Sequence, residues 1–229
     1  MGAAATNWRE RYRALPYIIP FALFYFFFLA AQRFGFDAYW DTPLRVVVLG
    51  TACAVCWPRE IAAVPKYWVA SGAIGLAVFA IWIAPELIFP GYRDLRVFSN
   101  AFIPRAHSSI SPDALNSGWV LFWRTARAVI VVPFIEELFW RGWMMRWLVN
   151  TRFETVPIGV ASPAAFWITA LLFASEHGAY WDVGLIAGII YNLWIIRSKS
   201  LADCILAHAV TNAALTAYII GAHQWQYWQ

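Results

Sequence analysis

Charge is scarce in this sequence: only 13% of its 229 residues are Asp, Glu, Lys or Arg, against 62% hydrophobic ones. A soluble core of this size could not hide so much apolar surface, which excludes an ordinary globular domain and points to a polytopic membrane protein. Cysteine is nearly absent as well. Cys53 and Cys56 form one Cys-Ala-Val-Cys spacing inside an apolar segment, and Cys204 stands alone. With no second pair, they read as small buried hydrophobes rather than as a metal or redox centre. No Lys/Arg run is long enough for nucleic-acid binding, and the net charge of +4 is spread over short loops as topological charge. Internal repeats and low-complexity tracts are also missing. The absence of paired halves argues against a small transporter in which Glu136 and His177 relay protons. Met1-Gly2-Ala3-Ala4-Ala5-Thr6 fits an acylation pattern, but a polytopic chain needs no lipid anchor.

Long apolar runs make up most of what is there. Arg9, Arg11 and Arg13 precede the first, Leu15 to Ala31, which reads as an uncleaved span with a cytoplasmic N-terminus. Leu44 to Trp57 and Tyr67 to Phe89 follow. Between Tyr92 and Ser117 the chain turns polar, a long loop with room for a short helix, and His107 there reads as a solvated residue. Gly118 to Ile135 is the fourth span. Pro133 is expected to kink or restart that helix, placing Glu136 in a first turn with free amides. Trp143 to Trp147 is suited to a membrane interface. Ile158 to Ala174 comes next, then Gly184 to Ile196, short for a full crossing, and Leu201 to Gly221. The tail His223 to Gln229 reads as an aromatic interfacial belt.

The chain is arranged around Pro133-Phe134-Ile135-Glu136-Glu137-Leu138-Phe139-Trp140-Arg141-Gly142. A charge at the centre of a span costs about 2.5–3.5 kcal/mol on insertion scales. Glu137 and Arg141 are four residues apart, share a helix face and can pair. Glu136 points about 100° away from Glu137 and shares its face with Trp140, so it is free to face a cavity. The competing reading is one buried ion-pair cluster that only fixes packing. On the last span, His208 and Asn212 project from one face as a donor pair suited to an oxyanion, although helix–helix hydrogen bonds use the same residue types. The same spacing recurs in Phe173 and His177.

Taken in order on separate apolar helices, Glu136/Glu137/Arg141, Phe173/His177 and His208/Asn212 match Glu-Glu-x-x-x-Arg, Phe-x-x-x-His and His-x-x-x-Asn. On these motifs the chain resembles the type II CAAX prenyl endopeptidase and bacteriocin-processing family of intramembrane proteases, over roughly Gly118 to Gly221. The runs Glu176 to Gly188 and Cys204 to Asn212 look like the CAAX-protease-related proteins associated with bacterial exosortase systems. Length and apolar runs suggest a single all-α membrane domain, residues 1–229, with residues 1–117 as N-terminal spans and loop, and the resemblance makes residues 118–221 the catalytic helices. It implies about eight transmembrane helices around a polar cavity, where apolar runs alone give about seven.

By that resemblance Glu136 and His177 activate water, His208 and Asn212 stabilise the tetrahedral intermediate, and Glu137, Arg141 and Phe173 support them. Glu136, His177 and His208 are equally a ligand set for a catalytic zinc, so the cofactor is either none or Zn2+. The neighbouring Asn212 inclines the reading towards the metal-free form. Implied partners are membrane lipids, a membrane-associated protein or peptide substrate and exosortase-system proteins, with no nucleic acid. The implied setting is a bacterial inner membrane. Bacteria generally lack prenylated proteins, and Tyr227-Trp228-Gln229 is not itself a CAAX motif, so the label names the fold rather than the substrate. The alternative is a non-proteolytic scaffold of a sorting system.

Overall fold

The computed structural model describes residues 8–100, 103 and 111–228. His107 and the Met1 to Thr6 pattern lie outside the described residues. Among those described there is no strand, and seven helices carry the fold: α1 Leu15–Phe34, α2 Ala38–Cys56, α3 Trp68–Ile88, α4 Gly118–Trp147, α5 Pro163–Ser175, α6 Trp181–Ser198 and α7 Leu201–Ala222. Five stretches are long and apolar enough to cross a membrane: α1, α3, α4, α7, and α6 with the preceding turn from Gly178. The chain is an all-α, polytopic membrane protein.

Helix α7 is the central strut and packs on α3, α4 and α6; α1 and α2 flank α4, and α5 flanks α6. Asp203, at the start of α7, ties the strut to α3. Its carboxylate accepts from the Lys66 and Tyr67 amides at 2.8 and 2.7 Å and from the Ser71 hydroxyl at 3.0 Å, serving amides that a helix start leaves without partners. Further along, the two helices touch at Gly75. The Thr211 hydroxyl donates to the Gly75 carbonyl at 2.9 Å, and a Cβ on Gly75 would lie 2.7 Å from the Val210 Cβ. Small residues allow such close backbone approach in membranes. Gly75→Ala is therefore expected to push α7 from α3 and destabilise the protein by about 1–3 kcal/mol. Gly72→Ala, which meets nothing within 4 Å, is the control, read by thermal unfolding in detergent; equal melting of the two would contradict this contact.

Several boundaries differ from the apolar runs for identifiable reasons. Helix α2 begins at Ala38, because Asp37 caps it and Asp41 pairs with Arg45 at 2.7 Å, so charge enters the helix already matched. Helix α5 starts only at Pro163, after the Ser162 cap. Its 13 residues span about 20 Å, short of the roughly 30 Å hydrocarbon core. Helix α6 is longer than the run Gly184 to Ile196, because Asp182 in its first turn is neutralised by Arg93 and accepts from the Tyr92 hydroxyl. In the polar loop a short helix does form, Pro112–Leu115, capped by Ser111.

Pro133 does not restart its helix. Helix α4 runs through it, with wider π-helical turns at Arg127–Val131 and Leu138–Met144. The amide of Val132 bonds back five residues to the Arg127 carbonyl. In that pattern the next carbonyl, Ala128, would need an N–H from residue 133, which proline lacks. The Asn212 side chain supplies it instead, donating Nδ2–H at 2.8 Å. Glu136 consequently lies in mid-helix, away from free amides.

Two stretches expected at the membrane interface are buried in part, although Trp147 and His223 are exposed. Arg146 is buried, donating to the Val156 and Gly142 carbonyls at 2.7 and 2.8 Å. In the tail, Tyr227 and Trp228 are buried against Ile83, Tyr180 and Ile219, with the Arg124 guanidinium 5.2 Å from the Trp228 ring centre.

Candidate active site

The three motifs meet at one place inside the bundle, where α4, the α5–α6 turn and α7 come together. Glu137 and Arg141 form the expected pair on α4, with Nη1 to Oε1 at 3.0 Å and both side chains fully enclosed. The guanidinium goes further than the pair. Its Nε–H donates to the Asn192 side-chain oxygen at 2.9 Å and its Nη2–H to the Gly188 carbonyl at 3.2 Å. Its flat face lies 4.5 Å from the Phe173 ring centre, a cation–π geometry strengthened by the lack of water. Phe173 thus lies between the first motif and the two histidines, with ring centres 4.7 Å from His177 and 6.0 Å from His208.

Glu137 also accepts from His208 Nδ1–H at 2.9 Å and from the Cys204 thiol at 3.2 Å. A carboxylate can only accept, so the proton of a neutral His208 is on Nδ1 and its Nε2 lone pair points the other way. What it points towards is Glu136, whose Oε2 is 3.9 Å from Nε2. Tyr191 stacks on the His208 ring at 5.1 Å and 24°, and its hydroxyl donates to Thr211 at 2.7 Å, which fixes the ring from the side.

Glu136 contrasts with its neighbour. It is buried, yet its Oε2 has no hydrogen-bond partner. A buried carboxylate oxygen without a partner costs free energy, and among the described residues Glu136 Oε2 is the one carboxylate oxygen so placed.

His177 lies on the turn between α5 and α6 rather than on a helix, with φ −94° and ψ 10°. Its Nδ1–H donates to the Phe173 carbonyl at 2.7 Å. The carbonyl can only accept, so Nε2 of the neutral ring is left as a base. Space for this ring is made by Gly184, where an added Cβ would come within 3.2 Å of the imidazole, and Gly188 does the same for Phe173. Asn212 uses one N–H on the Ala128 carbonyl, which anchors it and leaves the second N–H to offer.

The site therefore contains a buried carboxylate with one oxygen outside any hydrogen bond, two imidazoles whose Nδ1–H groups are engaged, and an anchored carboxamide. Such a set can accept a proton from water and donate to a developing oxyanion. For His208 to donate from Nε2 it must carry a second proton, with Glu137 accepting from Nδ1–H behind the ring. Among the described residues no three His, Cys, Asp or Glu side chains are arranged to hold a metal ion. Glu136, His177 and His208 do not converge as a zinc set in this arrangement.

Four contributors escape the motifs. Asn192 completes the Arg141 shell and holds its own place by donating to the Phe166 carbonyl at 2.8 Å; a lone amide in the apolar run of α6 was its sequence signal. Cys204 is a thiol donor to Glu137 rather than a simple hydrophobe. Tyr191 and Glu176 are the others, and nothing in spacing alone sets them apart.

Residues 118–214 match a family model described as Rce1-like, type II CAAX prenyl endopeptidase Rce1-like. That stretch holds every motif residue above and is a little less than half of the chain. No curated protein matches the chain, and no solved structure matches it.

Proposed function

We propose that this protein is an intramembrane endopeptidase that hydrolyses a peptide bond in a membrane-associated protein or peptide. The observation that carries the reading is the unequal treatment of two adjacent glutamates: Glu137 is saturated by Arg141, His208 and Cys204, whereas Glu136 keeps a buried oxygen free. The similarity of residues 118–214 to an endopeptidase family supports it.

In this reading a water molecule loses a proton to Glu136, assisted by His177, as its oxygen attacks the carbonyl carbon. The carbonyl electron pair moves onto oxygen, which is met by His208 in its doubly protonated form and by the second N–H of Asn212. Glu136 then returns the proton to the amide nitrogen as the C–N bond breaks, leaving a carboxylic acid and an amine.

Arg13, Arg59, Lys66, Arg152, Arg197 and Lys199 flank helix ends that meet at one end of the bundle. Contacts between Arg13 and Glu154, Tyr17 and Glu60, and Lys66 and Asp203 tie that end together. Positive charge marks the cytoplasmic side, which supports a cytoplasmic N-terminus. Exposed apolar side chains such as Phe26, Leu29, Trp167 and Leu171 suit a lipid surround. A bacterial inner membrane and exosortase-system partners rest on the sequence resemblance alone.

The test is cleavage of fluorogenic peptides ending in an apolar anchor by purified protein in detergent, wild type beside Glu136→Gln. Product that forms only with the wild type supports the reading. Equal biological activity of the two forms in cells would favour the non-proteolytic scaffold.

A further inference from the structure

We propose that Glu176 is a positioning residue for His177, and that Tyr25 of α1 completes the clamp through which it works. This rests on the peptidase reading above.

Glu136, His208 and Asn212 each stand on a long helix, so their positions follow from helix packing. His177 has no such support. It follows the last residue of a 13-residue helix by two positions and precedes Gly178, whose φ of +52° marks a sharp reversal. A turn of this kind, held by its backbone alone, leaves a side chain free to shift by more than a reaction tolerates, since displacements near 1 Å can cost roughly a hundredfold in rate.

Glu176 removes that freedom. Its Oε1 accepts from the Trp140 indole N–H at 2.7 Å and its Oε2 from the Tyr25 hydroxyl at 2.8 Å. Two donors from two different helices, one on each oxygen, fix the plane of the carboxylate and with it the residue next to His177. Both anchors are rigid. Trp140 is four residues after Glu136 on the same face of α4, and its ring meets Phe21, Phe139 and Phe173 edge-on. Tyr25 is one turn beyond Phe21, which stacks on Phe139 at 3.8 Å and 1°. The clamp thus references the His177 turn to the stretch of α4 that carries Glu136. On the far side Trp82 packs against the imidazole at 5.2 Å, and Gly184 lets it approach α6. An apolar residue at 176 would fill the space; only a carboxylate offers two acceptors in one plane at a short reach. Tyr25 lies outside the stretch similar to known endopeptidases, so this part of the site is supplied by the N-terminal helices.

The experiment compares wild type, Tyr25→Phe, Glu176→Gln and the double variant for kcat and KM on the same peptide, with hydrogen–deuterium exchange of the amides around 176–180 read in parallel. Tyr25→Phe removes one oxygen and leaves the ring packing intact. The expected result is a fall in kcat of about tenfold for each single variant, the scale of one hydrogen bond to a charged group, with KM unchanged. The double variant should be no worse than the poorer single, since both changes break one unit. A merely structural role would not separate kcat from KM in this way. Tyr25→Phe with wild-type kcat, or single effects that multiply in the double, would overturn the proposal. Wild-type protein that is folded but cleaves nothing counts against the peptidase reading instead. Exchange then decides the clamp: faster exchange at 176–180 in Tyr25→Phe upholds it, and unchanged exchange overturns it.

Discussion

Glu136→Gln is expected to lower kcat by about 10²- to 10⁴-fold, the usual worth of a general base, while leaving the fold intact. Glutamine matches glutamate in shape but cannot hold the proton of an attacking water. It also removes charge from a buried oxygen that accepts no hydrogen bond, so the melting temperature should hold or rise by a few degrees at most. Glu137→Gln, one residue along, should behave differently: it weakens the pairing with Arg141 and the acceptor for His208 Nδ1–H, so stability falls along with turnover. Turnover and thermal unfolding measured on both variants separate the two roles. If Glu136→Gln kept turnover within tenfold of wild type, Glu136 would not be the base.

That contrast between neighbours is legible in the sequence, because helical spacing alone turns Glu137 towards Arg141 and Glu136 away. What spacing could not give is everything that reaches across helices. The Asn192 oxygen on Arg141 and the Tyr25 hydroxyl on Glu176 connect residues 51 and 151 positions apart, and no periodicity carries that information. The helix continues through Pro133 instead of restarting for a local reason: a proline ordinarily breaks a helix, but a π-helical turn and a carboxamide from α7 absorb the missing N–H. The boundaries of α2 and α6 were misplaced because Asp41 and Asp182 look like loop residues until their arginines are seen. The same exchange accounts for Arg146, a basic side chain near a helix end that turns inward to serve carbonyls. In α2, in α6 and at Arg146 the physical reason is the same: a charged residue that looks solvated from its neighbours is matched by a partner.

Arg141→Leu is expected to be the most destabilising single change in the site. The side chain is 1% exposed and Glu137 is 0% exposed, so removing the cation strands a carboxylate where water cannot reach it. Breaking a buried pair from one side costs about 3–5 kcal/mol, and here the Asn192 oxygen and the Gly188 carbonyl also lose a donor. For a chain of this length each kcal/mol moves the midpoint by about 2–4 °C, so a fall of roughly 10 °C is expected. Lysine has the charge but not the planar fork that meets Glu137, Asn192 and Gly188 at once, and Arg141→Lys should recover only part of the loss. The decisive comparison adds Glu137→Gln to Arg141→Leu. Neutralising the stranded carboxylate should return part of the lost stability, so the double variant should unfold at a higher temperature than Arg141→Leu alone. A double variant that instead shows the sum of two independent losses would mean that the pair is not a unit, and that Arg141 is held by Phe173 and the α6 carbonyl rather than by Glu137.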